Sequence, residues 1–110
     1  MILVYIAGPY RSDTINGVVK NIQVAREHAE KLWKAGYAVL CPHLNTALFD
    51  GVMDDQTFLN GTMEMLKRCD AIYLLPKWSL SVGSVKEYEY AKENGIKIIH
   101  ANNFLGADEW

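Results

Sequence analysis

The chain has 110 residues, a formal charge of -2 and a hydrophobic fraction of 50%. That length builds one domain around one core, and no apolar run approaches the 18 residues that a membrane span needs. The slightly acidic balance argues against a nucleic-acid polymer as partner, since binding one calls for clustered Lys and Arg, whereas a small phosphorylated ligand needs one or two cations.

Residues 2–7 are apolar and partly β-branched and end at Gly8-Pro9, which reads as a first strand rather than a signal peptide. Val18, Ile22, Ala25, Ala29 and Leu32 recur at helical spacing, and Gly36 suits the position after a helix, giving a helix over about 17–35. A short strand, Ala38–Cys41, stops at Pro42. Residues 43–53 have no period and read as a loop. Asp54 or Asp55 caps a second helix through Phe58, Leu59, Met63 and Leu66, in which Gly61 costs about 1 kcal/mol relative to alanine. Residues 71–75 form a third strand, 84–94 a third helix and 96–100 a fourth strand; the tail from Ala101 to Trp110 carries no pattern.

Strands alternating with helices predict an α/β fold, a parallel sheet of four to five strands covered on both faces. Pro9, Pro42 and Pro76 all stand at strand C-terminal ends, so the loops they open gather on one edge, where such sheets bind ligands. That edge collects Gly8, Pro9, Tyr10, Arg11, Ser12 and Asp13 from the first loop. His43 and Asn45 come from the second, and Trp78, Ser79, Ser81, Ser84 and Glu87 from the third.

Glu87 has two readings. Ser84-Val85-Lys86-Glu87 fits a capping box, in which Ser84 and Glu87 satisfy each other's backbone donors. Alternatively, Glu87 shares a helical stripe with Ala91 and Gly95, opposite the charged Glu89, Lys92 and Glu93, and faces inward as a nucleophile or base. Arg11 is either a solvated loop residue or a bidentate phosphate clamp. Tyr5 fills the core or gives its hydroxyl to the inward Glu87. Tyr10 and Trp78 are loop aromatics or stacking walls for a base, and His43 is a structural or a site residue. Most of Asp50, Asp54 and Asp55 are inert, with one open as the acid that protonates a departing base. Asp70 reads as local structure. Cys41 and Cys69 lack the spacing of a redox pair and read as buried thiols of a reducing cytosol, and His28, His43 and His100 lack metal spacing, so no metal is expected.

Val4-Tyr5-Ile6-Ala7-Gly8-Pro9-Tyr10-Arg11, Gly36-Tyr37-x-Val39, Pro42-His43, Cys69-Asp70-Ala71 and Ser81-x-Gly83-Ser84-x-x-Glu87-x-x-x-Ala91 together resemble the nucleoside 2-deoxyribosyltransferase-like superfamily, which includes the 2′-deoxynucleoside 5′-phosphate N-hydrolases. The resemblance implies a flavodoxin-like, Rossmann-like fold, usually dimeric. It implies cleavage or transfer at the N-glycosidic bond of a nucleoside or its 5′-monophosphate, with no metal or other cofactor. On it, the nucleophile falls on Glu87, the tyrosine that positions it on Tyr5, and the phosphate-binding arginine and serine on Arg11 and Ser79, with Ser81 and Gly83 alongside. The acidic residue of the second helix falls near Thr62, beside Asn60 and Glu64. Val82-Gly83-Ser84-x-x-Glu87 also resembles the glycine-rich motif of lysine-decarboxylase-like phosphoribohydrolases, for which a second arginine at the site would speak. A module that binds a nucleotide without turnover is the rival from another class.

Overall fold

The computed structural model describes residues 1–104. Its strands are β1 (Leu3–Ala7), β2 (Ala38–Leu40), β3 (Ala71–Leu74) and β4 (Lys97–His100), and its α-helices are α1 (Ile15–Lys34), α2 (Pro42–Asn45), α3 (Asp55–Leu66) and α4 (Val82–Glu93). Short 3-10 turns cover Trp78–Leu80 and Ala101–Asn103. The four strands form one sheet in the order β2-β1-β3-β4, every pairing parallel. This is the expected α/β, flavodoxin-like arrangement. Residues 105–110, most of the tail without a pattern, lie outside the described residues.

Alternation along the strands divides the core. Val4, Ile6, Tyr73 and Leu75 face α1, where Ala25, Ala29 and Leu32 meet them. Tyr5, Ala7, Ile72 and Leu74 face the other way, toward Leu66 and Ala91. Tyr5 therefore points at α3 and α4, which decides what its hydroxyl can reach. On the α1 side the Tyr73 hydroxyl meets His28 Nδ1 at 2.8 Å, and burial raises its pKa to about 12. Asp70 anchors the start of β1 by accepting from the Leu3 amide at 2.8 Å while its own amide donates to the Leu3 carbonyl at 2.8 Å.

Element ends follow local chemistry that the apolar period does not report. Helix α1 begins two residues before the expected 17, because the Thr14 hydroxyl accepts from the Gly17 amide at 3.0 Å. Pro42 at the first helical position starts α2, which runs into the stretch expected to be loop. Asp54, rather than Asp55, caps α3 by accepting from the Thr57 amide at 2.7 Å.

The strand order reverses between β1 and β3: β2 lies on one side of β1, and the chain then crosses to the other. The loops leaving β1 and β3 diverge there and open a crevice. They meet closely at its root, where a Cβ on Gly8 would stand 2.6 Å from Leu75 Cβ. That neighbour is the stem of a fully buried side chain and cannot swing aside. Gly8→Ala is therefore expected to destabilise by about 1–3 kcal/mol in chemical denaturation, by overpacking.

Candidate active site

The crevice is a cavity of about 620 Å³ at the C-terminal edge of the sheet, large enough for a nucleoside. Its walls come from the β1 loop (Gly8, Pro9, Tyr10, Arg11), the segment after β2 (His43, Thr46, Phe49, Asp50), one face of α3 (Asp55, Phe58, Leu59, Thr62) and the start of α4 (Ser81, Gly83, Ser84). Tyr5 and Glu87 also line it.

Helix α4 decides which way Glu87 faces. Its N-cap is Ser81, whose Oγ accepts from the Ser84 amide at 3.2 Å, so Ser84 lies at the third helical position and Glu87 in the second turn. The capping box does not form, because the true cap lies three residues upstream of the one that the pattern offers. Ser81→Ala is expected to lower stability by about 1 kcal/mol, seen as a shift of the denaturant midpoint at constant m-value. Freed from capping, Glu87 is buried on the same side of α4 as Ala91, at 6% exposed, while Glu89, Lys92 and Glu93 face solvent. Gly95 has left the stripe; it turns the chain beyond the helix with φ of 71°.

The Tyr5 hydroxyl donates to Glu87 Oε2. Burial pushes the Glu87 carboxyl up to about 7, against smaller lowering effects of the Tyr5 and Thr62 hydroxyls. The Tyr5 phenol is driven well above its usual value, first by burial and then by the nearby carboxylate, and so stays protonated as a donor. A carboxylate this buried, bonded to the Tyr5 hydroxyl and open to a cavity, has the chemistry for either a nucleophile or a base once ionised.

His43 is buried with Nε2 3.2 Å from the Gly8 carbonyl and 3.0 Å from that of Pro9. Both are acceptors, so Nε2 carries the proton and ties the β1 loop to α2. Burial lowers the pKa of the ring and keeps it neutral. Its buried Nδ1 has no partner among the described residues. Tyr10 also shapes the wall: its hydroxyl donates to Asp50 Oδ1 at 2.8 Å and accepts from the Leu48 amide at 2.8 Å, pinning the loop that enters α3. Arg11 reaches across the mouth and donates to Asp55 Oδ1. Among the described residues lining the cavity, Arg11 is the only Lys or Arg.

The structure brings together Tyr5, Gly8, Pro9, Tyr10, Arg11, His43, Ser81, Gly83 and Glu87. It does not bring Trp78 and Ser79 to them. Lys77 adopts a left-handed φ of 66° and turns the chain away from the crevice. Trp78 then packs on Tyr88 at 4.7 Å between ring centroids, near His100 at 6.2 Å. Trp78 and Ser79 instead line a separate cavity of about 240 Å³ with Lys77 and His100. Besides Tyr5, the aromatic walls of the main cavity include Tyr10, Phe49 and Phe58, of which the sequence marked Tyr10 for the site but not Phe49 or Phe58. Asp55, Phe58 and Thr62, spaced three and four apart, share one face of α3; that spacing was the available signal.

Residues 2–100 match the model of the family described as a domain of unknown function, DUF4406. No curated protein matches the sequence. Among solved structures, the chain superposes on a 2-deoxyribosyltransferase from the psychrotolerant bacterium Bacillus psychrosaccharolyticus with a TM-score of 0.66 at 15% identity, over 89% of this chain and 70% of that one. It also superposes on a conserved protein from Enterococcus faecalis V583 with a TM-score of 0.67 at 22% identity, over 99% of this chain and 70% of the other. At these identities the likeness is one of fold. The chain belongs to the DUF4406 family and has the fold of a 2-deoxyribosyltransferase.

Proposed function

We propose that the protein breaks the N-glycosidic bond of a nucleoside or nucleoside 5′-monophosphate through a covalent intermediate on Glu87. The observation that carries this reading is the buried Tyr5–Glu87 hydrogen bond inside a nucleoside-sized cavity. Cleaving C1′–N develops an oxocarbenium-like sugar, which a carboxylate beneath C1′ stabilises and captures. The Glu87 carboxylate forms the C1′–O bond as the C1′–N bond breaks, and the departing base keeps the bonding pair and takes up a proton. Water, losing a proton, then attacks C1′ and releases Glu87 as carboxylate; a second base in its place gives transfer. Tyr5 holds Oε2 and orients the carboxylate toward C1′. Tyr10, Phe49 and Phe58 supply faces against which a base stacks.

Exposed Phe49, Met53, Leu80 and Val82 rim the mouth. A homodimer is the expected assembly, testable by light scattering coupled to size exclusion.

The test of activity is incubation with a panel of nucleosides and 5′-monophosphates, with free base followed by chromatography. Released base supports the reading. The second reading, a binding module without turnover, is favoured by one observation: the α3 position nearest the Tyr5–Glu87 pair is Thr62, which cannot protonate a leaving base as a carboxylic acid would. Ligand bound intact, with no base released, supports that module.

A further inference from the structure

The charges around the cavity say which ligands it admits. Among the described lining residues, Arg11 supplies one positive charge, Asp50 and Asp55 supply two negative ones, Glu87 adds a third when ionised, and His43 is neutral. Arg11 is already engaged, its guanidinium donating to Asp55 Oδ1, and Asp50 is held by the Tyr10 hydroxyl. The Arg11 and Asp55 side chains are 67% and 74% exposed, so their pairing adds little to folding. Its consequence falls on the ligand. A phosphate entering the cavity has one cation to seek, and there it meets a carboxylate competing for the same N–H donors. The start of α4 compensates only in part, since the Ser81 hydroxyl already takes the Ser84 amide.

We propose, building on the glycosidase reading above, that Asp55 is a specificity-determining residue: by neutralising Arg11 it sets the site to take nucleosides with an uncharged 5′-hydroxyl in preference to their 5′-monophosphates. Arg11, expected from sequence as a phosphate clamp, then acts as half of a neutral pair at the mouth. Asp55 exerts this effect without touching the reacting atoms. Asp54 rather than Asp55 caps α3, so Asp55 can be changed without removing the cap.

The experiment compares kcat/KM for a set of deoxynucleosides with kcat/KM for the matching 5′-monophosphates, in wild type, Asp55→Asn, Arg11→Gln and the double variant. The expected wild-type ratio favours nucleosides. Asp55→Asn should move it about tenfold toward monophosphates at low salt, and less at high salt, because the charges are solvent-exposed. The double variant should lose that gain, since the freed cation is gone. A wild-type preference for monophosphates, or an unchanged ratio in Asp55→Asn, overturns the proposal and leaves the glycosidase reading standing. If no base appears from any substrate, the glycosidase reading fails instead, and the same ligands and variants are compared by titration calorimetry. The ratio of Kd values then decides, with equal binding of both ligand classes, or binding of neither, counting against the proposal.

Discussion

Glu87→Gln is expected to lower base release by about a thousandfold or more, while the protein remains folded. Glutamine preserves the shape of the side chain and an oxygen that accepts from Tyr5, but it cannot form the bond to C1′. The alternative, a structural glutamate, makes a different forecast. Loss of a helix cap costs about 1 kcal/mol, which leaves nearly all of a moderately stable protein folded and so barely alters the rate. The capping role is in any case filled by Ser81. Activity assays paired with thermal denaturation separate the two, and a rate within tenfold of wild type in a folded Glu87→Gln protein removes Glu87 from the chemistry. Intact-protein mass spectrometry of wild type quenched during turnover should show an adduct of one sugar mass, absent from the variant.

The second large effect concerns pH, and it follows from a carboxyl whose pKa rises from 4.5 to about 7 on folding. Between those values the folded chain holds a proton that the unfolded chain has lost, so stability falls as pH rises through this window. The stabilising contribution is fully present below about 4.5 and gone above about 7. Its size is about 3 kcal/mol, from 1.36 kcal/mol per pKa unit. His28 and His43, whose pKa values burial lowers, act in the opposite direction as pH drops below about 6.5. The difference between wild type and Glu87→Gln cancels them: the variant should gain on wild type from about pH 4.5 to about pH 7 and hold that gain above it. A constant difference across that range would mean that the carboxyl is not perturbed. Activity should respond in the reverse sense, because only ionised Glu87 attacks, so kcat/KM climbs with pH toward a plateau above about 7. Tyr5→Phe removes a hydrogen bond that lowers the Glu87 pKa, and should shift that climb to higher pH as well as slow the reaction.

The same hydrogen bond shows what was legible in the chain beforehand. Tyr5 and Glu87 stand 82 positions apart, yet each was marked by its own local context: Tyr5 by alternation within an apolar strand, Glu87 by the small Ala91 one turn on. Their meeting also required β1 and β3 to be neighbours, which the β-α-β alternation makes natural. The pairing of Arg11 with Asp55 had no such mark. It depends on how the loop after α2 returns to the cavity, pinned by Tyr10. Trp78 lines the other cavity just after the left-handed Lys77, and a non-glycine residue in that conformation gives no compositional warning.

What the sequence determined by itself was the order of the strands and of the three longer helices, the parallel sheet and the edge that bears the candidate site, because apolar periodicity acts through burial and a proline ends a strand locally by its missing N–H and fixed φ. The tertiary structure decided the rest. It placed the α4 cap at Ser81 and thereby released Glu87, paired Arg11 with Asp55, and sent Trp78 and Ser79 to a different cavity. Each of these depends on which of several nearby polar groups reaches a given donor first, a competition settled by distances across the fold and not by spacing along the chain.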